Sequence, residues 1–416
     1  MLRRMRILRL GLPLLLLVAC SSDESTISMD IGQWVDAVGA DVADDVAIGV
    51  DVGPDAVETT GPDAVETTEP PQLPEFFPMG LPPSALVAVG DRRPLRTIIH
   101  AHTIYSHDAC DGEPVLENGM PNEPCLASFR TALCTDHIDV VMLTEHTDRM
   151  AEEADFNELF LHRDNDEWVM EDGQRTGNMV VCEDGHRALI LPGLEGSGSD
   201  VSPLGMTSHP SDGTVEEIRA AYQDGSPAGL ANLRAHGGVP VAIHIESADQ
   251  EELKTTDYDA IEVGNLHALV APDLRKLLGL DADIPIVAFT SWLFSPEDYP
   301  APDFVFLEFH QRVDSYHWWW DALLQEKMIA GFAGNDVHQN VLPLEMGDGD
   351  RPDSYRRMMK WYVNYLHAPK VPSAIKAAIA AGQLDMVFEV LGSPRGFDAR
   401  IEATTGDTVW RPGSVI

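Results

Sequence analysis

Basic residues are scarce in this chain: 28 Lys and Arg stand against 68 Asp and Glu, a formal net charge of −40. Phosphate backbones are held by clusters of Lys and Arg, so this balance argues against a nucleic-acid partner. An anionic small molecule would need metal ions to receive it. No apolar run reaches the roughly 20 residues that span a bilayer; the run 10–19 is too short and is interrupted by Pro13. A close Cys-x-x-Cys pair is also missing, which disfavours a zinc–cysteine cluster. The stretch Gly193-Leu194-Glu195-Gly196-Ser197-Gly198-Ser199 lacks the lysine of a Walker phosphate loop and reads as a flexible exit from a strand.

What is present begins with a targeting pattern. Arg3, Arg4, Arg6 and Arg9 precede the apolar run, which ends at Cys20. Leu17-Val18-Ala19-Cys20 resembles the bacterial lipobox, which implies removal of residues 1–20 and membrane attachment through lipid on Cys20. In the Gram-negative sorting pattern this resembles, Ser22 permits transfer to the outer membrane, so the expectation is an exported lipoprotein on its periplasmic or cell-surface face. Residues 21–78 contain no Lys or Arg and carry Gly-Pro-Asp-Ala-Val-Glu-Thr-Thr twice in tandem, at 53–60 and 61–68. Such a segment repels itself and cannot build a core, so a disordered acidic linker is expected. No Asp spacing there matches a calcium loop. Besides Cys20 the chain has Cys110, Cys125, Cys134 and Cys182, and export favours disulfides. Three pairings are open. Cys110 with Cys125 is the local choice, worth ~3 kcal/mol in the chain-entropy model, and it would leave Cys134 with Cys182.

From 79 to 395 short apolar runs alternate with helical stretches, and 396–416 forms an extension expected to pack on that domain. The runs 95–101, 139–143, 188–191, 239–245, 260–263, 284–289, 304–309 and 329–333 read as strands; 127–133, 215–221, 274–278, 318–325 and 355–365 read as helices. Repeated strand, helix, strand implies a parallel sheet of the α/β class. In a closed sheet of this kind chemistry collects at the C-terminal ends of the strands.

Those ends carry histidines and carboxylates. The first strand finishes Ile98-Ile99-His100-Ala101-His102, and period-two alternation would point both imidazoles to one face. Then follow Leu143-Thr144-Glu145-His146, Pro192-Gly193-Leu194-Glu195, Ala242-Ile243-His244 and Asn335-Asp336-Val337-His338. Taken singly, each histidine could be a hydrogen-bonded surface or core residue, and His236, His267, His310, His317 and His367 are read that way. The recurrence at so many strand ends is what indicates metal. Trp318, Trp319 and Trp320 cannot share one helical face, so their roles differ.

The order His-x-His, Leu-Thr-Glu-His, Pro-Gly-Leu-Glu, strand-end His, Asp-x-His resembles the PHP (polymerase and histidinol phosphatase) family over roughly residues 95–340. The resemblance implies a distorted (β/α)7 barrel with two to three divalent ions, for which mixed His and carboxylate ligands suit Zn, Mn or Fe. It implies that His100, His102, Glu195 and Asp336 hold one ion, that Glu195 bridges to a second, and that His244 serves the second. His209 is taken as the other histidine there, with His186 and His236 competing. A third ion would use His146, His338 and Asp108, or His107 in place of Asp108. Glu145 stands where Asp is usual, Ile245 where Pro is common, and the Cys110–Cys125 insertion has no counterpart in the family pattern. The implied activity is phosphoester hydrolysis by a hydroxide held on the metals; from its place just past His146, Arg149 is the candidate clamp for the substrate's anion. Alternatives are hydrolysis of a carboxylic ester, carbamate or amide, or a catalytically idle metal-binding surface lipoprotein.

Overall fold

In the computed structural model the chain divides into two units, Met1–Pro74 and Glu75–Ile416. The residues described all lie in the second. They are 93–394 apart from 197–200, 247, 281–291, 293–300 and 312, together with 86, 88, 397, 399, 401, 402, 409 and 410. The signal segment, the acidic linker, the run 284–289 and most of the C-terminal extension therefore lie outside the described residues.

The strands are β1 (Leu95–Ala101), β2 (Val140–Met142), β3 (Glu145–His146), β4 (Glu167–Glu171), β5 (Gln174–Val181), β6 (Arg187–Leu191), β7 (Leu194–Glu195), β8 (Val201–Leu204), β9 (Val239–Ala242), β10 (Ala260–Asn265), β11 (Ala330–Val337), β12 (Val363–Leu366), β13 (Leu384–Val387), β14 (Ile401–Glu402) and β15 (Val409–Trp410). Eleven of them form one mixed sheet in the order β4-β5-β6-β2-β1-β11-β10-β9-β8, with β12 beside the start of β1 and β13 beside β12. Its middle is parallel: β6, β2, β1, β11, β10 and β9 run the same way. The hairpin β4–β5 and the strand β8 join antiparallel on either side. An isolated bridge between Gly193 and Leu204, and the Met206 N–H donating to the Pro192 carbonyl at 2.8 Å, link β8 to the chain leaving β6.

The helices are α1 (Glu123–Thr135), α2 (Thr147–Met150), α3 (Val215–Tyr222), α4 (Pro227–Ala235), α5 (Gln250–Thr255), α6 (Leu266–Val270), α7 (Pro272–Leu277), α8 (Asp314–Leu324), α9 (Tyr355–Trp361) and α10 (Pro372–Ala380). Their starts are written in the sequence. Asn122 accepts from the Cys125 N–H at the head of α1, and Thr214 with Glu217 forms a capping box on α3. Successive side chains of the parallel strands enter two different cores, as the period of two requires. Ile99, Val140, Met142, Leu189, Leu191, Val241 and Phe332 pack with Ile375 and Ile379 of α10. Ala242, Ile261, Val263 and Leu194 pack with Tyr222, Leu230, Tyr316 and Leu323 of the surrounding helices. Burial of each large side chain contributes about 1.5–3 kcal/mol.

Two expected elements differ. The run 304–309 lies in a 3-10 helix, Pro302–Glu308, and not in a strand. Its buried residues are Asp303, Val305 and Phe306, and Pro302 at its first turn suits a helical start. The expected helix 355–365 ends at Trp361, and Val363–Leu366 instead pairs antiparallel with both β1 and β13.

Candidate metal centre

The C-terminal ends of the parallel strands bring the histidines and carboxylates together. The parallel pairing of β3 with β7 sets His146 beside Glu195. His100 lies in β1, Asp336 in β11, and His102, His244 and His338 follow their strands by one or two residues. The backbone here is not regular strand: φ is 72° at His100, 50° at His244 and 51° at Asp336. For residues with a Cβ this left-handed region is strained, and it persists where the surrounding structure enforces it. At His100 it coincides with a register shift between Ile99 and Ala101, so the two imidazoles of His-x-His converge through a bulge and not by simple alternation.

Four ligand-type atoms converge from His100, His102, Glu195 and Asp336. Glu195 Oε2 lies 3.1 Å from His100 Nε2 and 3.1 Å from His102 Nε2. Asp336 Oδ1 lies 3.1 Å and 3.2 Å from the same two nitrogens. The other oxygens of both carboxylates face His244, whose Nε2 is 3.3 Å from Glu195 Oε1 and 3.5 Å from Asp336 Oδ2. Asp336 thus spans the two faces of the cluster as Glu195 does. An outer group adjoins it, with His146 Nε2 3.1 Å from Asp108 Oδ1 and His338 Nε2 3.3 Å from Asp108 Oδ2. The rings of His102 and His338 stack at 3.9 Å, joining the groups. His107 does not take the place of Asp108: it is exposed, and its Nδ1 lies 3.3 Å from Asp148.

A set of buried acceptors orients the imidazoles. His100 Nδ1 is 2.7 Å from Glu262 Oε1, and His244 Nδ1 is 2.7 Å from Glu246 Oε1. The Ser106 hydroxyl donates to Glu145, so it accepts from His102 Nδ1 at 2.8 Å. His338 Nδ1 donates to the Asp336 carbonyl at 3.0 Å. With Nδ1 of His100, His102, His244 and His338 engaged outward, loss of the second ring proton would leave each Nε2 with a lone pair toward the cluster, the tautomer that a metal ligand needs.

The charges reinforce one another. Burial opposes ionisation of His100, yet Asp336 and Glu262 hold its imidazolium well above the usual histidine range. His244 is raised against burial by Glu195 and Glu246, and His146 is raised to about 9, chiefly by the Asp108 carboxylate beside it. Burial prevails at His338 and takes it down to about 3. Glu195 is kept far below the carboxylate range in spite of burial, first by His244; Asp336 likewise, first by His100.

The donor set fits divalent cations. Asp336 Oδ1, Asp108 Oδ1 and His146 Nε2 are buried and make no hydrogen bond, although each has an opposite-charge partner atom within 3.1 Å. Nitrogen and oxygen atoms that approach so closely without hydrogen-bond angles are aimed at shared points between them, as ligands are. Sites with at least three converging His, Asp or Glu atoms include His100–His102–Glu195–Asp336, His102–His146–His338 and His107–Asp108–His146.

Of the residues expected here, His209 is not brought to the cluster. Its Nε2 donates to the Glu153 carbonyl at 2.8 Å, and its Nδ1 accepts from the Tyr222 hydroxyl at 3.0 Å, which uses both nitrogens. The competing His186 and His236 bond to the Ile138 and Asn232 carbonyls. Arg149 sits on α2, three residues past His146, and its buried Nε has no hydrogen-bond partner. Sequence reasoning passed over Glu262, Glu246 and Asn265, whose Nδ2 donates to Asp336 Oδ2 at 3.1 Å. It also set aside His267, which is buried with Nδ1 3.1 Å from His338 Nδ1. The available signal was a lone carboxylate, Glu262, inside an apolar run.

The four other cysteines form two pairs at disulfide distance, Cys110–Cys125 and Cys134–Cys182, with Cα separations of 5.8 and 5.6 Å.

No family model and no curated protein matches the chain. Among solved structures it is similar to PsfC from Pseudomonas syringae, with 14% identity, a TM-score of 0.39, and coverage of 71% of this chain and 93% of that one. It is also similar to a two-domain protein from Bacteroides vulgatus containing a predicted PHP-like metal-dependent phosphoesterase, with 13% identity, a TM-score of 0.34, and coverage of 73% and 67%. Likenesses at this level carry no functional argument, which rests on the cluster itself.

Proposed function

We propose that this protein is a metal-dependent hydrolase of the PHP type acting on phosphoesters. The observation that carries the reading is the convergence of His100, His102 and His244 Nε2 on both oxygens of Glu195 and Asp336, with each outer nitrogen fixed by a buried acceptor. His100, His102, Glu195 and Asp336 would hold one cation, His244 with the far oxygens of the two carboxylates a second, and Asp108, His146 and His338 a third. Zn, Mn or Fe suits such mixed ligands. Divalent ions held there would lower the pKa of water toward neutrality and polarise a phosphoryl oxygen. The protein's part is to keep two bridging carboxylates ionised, to hold each imidazole in the ligating tautomer, and to offer Arg149, whose Nε is unsatisfied, to the substrate's anionic oxygens. An acidic protein thereby accepts an anionic small molecule.

The Gly193–Leu204 bridge supports reading β6, β2, β1, β11, β10, β9 and β8 as a closed seven-stranded ring. The proposal includes export as an outer-membrane lipoprotein through Cys20 on an acidic tether, with which two cysteine pairs at disulfide distance agree. The test is elemental analysis of the purified protein, with phosphoester, carboxylester and carbamate substrates assayed side by side. The expected result is two or three equivalents of metal and chelator-sensitive phosphoester cleavage. Metal-free protein, or activity confined to carboxylesters or carbamates, refutes it.

A further inference from the structure

The Cys110–Cys125 segment has a structural relation to the outer ligand group that the hydrolase reading leaves unused. Asp108 belongs to a turn slung between two anchors. On its N-terminal side, Glu145 accepts from the Thr103 N–H at 3.0 Å and from the Ser106 hydroxyl at 2.7 Å. On its C-terminal side, the Cys110 N–H donates to the His338 carbonyl and the Asp111 N–H to the Gln339 carbonyl, both at 3.0 Å. Cys110 is joined to Cys125 in the first turn of α1. Arg351 grips Asp111 through both terminal nitrogens, at 2.6 and 2.8 Å, and is itself held by Asp353. The backbone at Cys110 and Asp111 has φ of 60°, a left-handed pair that needs such restraint. Tyr355, fully buried, closes the arrangement: its hydroxyl lies 3.7 Å from Cys125 Sγ and contacts the carbonyls of His102 at 3.0 Å and His338 at 3.3 Å.

We propose that the disulfide-closed segment Cys110–Cys125, locked by Arg351 and backed by Tyr355, is a positioning device for Asp108, so that retention of the outer ion depends on this disulfide while the inner ions do not. The inference rests on the metal-centre reading above. His100, His102, Glu195, His244 and Asp336 are fixed by β1, β7, the end of β9, and β11, with Glu262, Glu246 and Ser106 as their supports, none of which lies in the segment. The turn that carries Asp108 is instead held by the two anchors. Removing the disulfide leaves the second anchor to two backbone hydrogen bonds and Arg351, and the loosened carboxylate then spreads over positions that His146 and His338 do not share. Loss of such outer supports lowers metal affinity by about 10–100-fold.

The experiment compares the full chain with the double variants Cys110→Ser/Cys125→Ser and Cys134→Ser/Cys182→Ser, and with Arg351→Gln, which leaves both disulfides intact. Zn2+ and Mn2+ stoichiometry is measured by elemental analysis, and stepwise affinity by chelator competition. The Cys110/Cys125 variant should lose one equivalent, or bind its weakest ion about 10-fold more weakly, with the tighter ions unchanged. Arg351→Gln should shift the same ion in the same direction, and it carries the test should the double variant not fold. The Cys134/Cys182 variant, which loses the cross-link between α1 and the residue after β5, should keep every ion. Wild type that binds metal while the Cys110/Cys125 and Arg351 variants match it overturns the inference alone, as does equal loss from both cysteine pairs. Wild type that binds no metal overturns the hydrolase reading and the inference with it.

Discussion

Replacing Glu262 with Gln tests whether the buried acceptors govern the metal centre. Glu262 is fully buried in β10 and serves three donors: His100 Nδ1 at 2.7 Å through Oε1, and the His244 N–H at 3.0 Å and Asn265 Nδ2 at 3.2 Å through Oε2. Glutamine keeps one acceptor oxygen and turns an NH2 group toward the remaining donors. Either His100 or the His244–Asn265 pair then faces a donor in a dry site, at about 1–3 kcal/mol. His100 also loses the carboxylate that fixes its tautomer, and outer supports of this kind are worth about 10–100-fold in metal affinity, or roughly 1.4–2.7 kcal/mol. Chelator competition should show this loss in the ion held by His100 and His102, and urea denaturation of the metal-free form should show destabilisation of similar size. Gly334→Ala gives an independent route, because a Cβ at Gly334 would fall on Glu262 Oε1 and displace the side chain without changing its charge. Variants that fold and bind metal as tightly as wild type refute the reasoning.

The strand-end ligands were legible because residue type, order and position after an apolar run all point the same way. Parallel strands put those positions on one edge whatever the details of packing. The acceptors behind them were hidden. Glu262 and Glu246 announce themselves only as carboxylates in or near apolar runs, and nothing local pairs them with His100 and His244. His209 misled because Thr207-Ser208-His209-Pro210 reads as a ligand-bearing turn, whereas Tyr222 and the Glu153 backbone, distant in sequence, occupy its nitrogens. Apolar run length failed at 304–309, where six residues fit strand or helix and Pro302 opens a helical turn. It failed again at 355–365, where every residue of α9 but Arg356 is buried and no exposed polar face marks the end of the helix before β12. The hairpin β4–β5 was missed for the opposite reason: Glu167 and Glu171 bound a half-exposed strand with no apolar run to find.

The remaining predictions concern the bridging carboxylate, the anchor and a buried acid. Glu195→Gln should lower both metal content and kcat/KM, by at least about 100-fold in rate, because the amide is neutral and offers one good ligand atom. His236→Gln and His317→Gln should keep full metal content and stay within about 0.5 kcal/mol of wild type in stability; retention of metal and rate by Glu195→Gln refutes the bridging role. Cys20→Ser should abolish incorporation of labelled fatty acid and leave the folded domain active, and unacylated wild type contradicts the anchor. Asp136, at the end of α1, is buried with neither carboxylate oxygen hydrogen-bonded. Burial, with Asp303 and Glu389 adding to it against the pull of Arg356 and Lys360, raises its pKa to about 8. Between the ordinary carboxylate value near 4 and about 8, the folded state keeps a proton that the unfolded chain releases. Stability from this group is therefore complete below pH ~4, falls as pH rises through that window, and is lost above it. The full difference is on the order of 5 kcal/mol, four pH units at 1.36 kcal/mol each. Asp136→Asn removes the group's titration, so urea unfolding should find the variant close to wild type at pH 4.5 and clearly more stable at pH 8.5. A stability difference between the two proteins that does not change with pH would show that Asp136 is ionised in the folded state, compensated by Arg356 and Lys360.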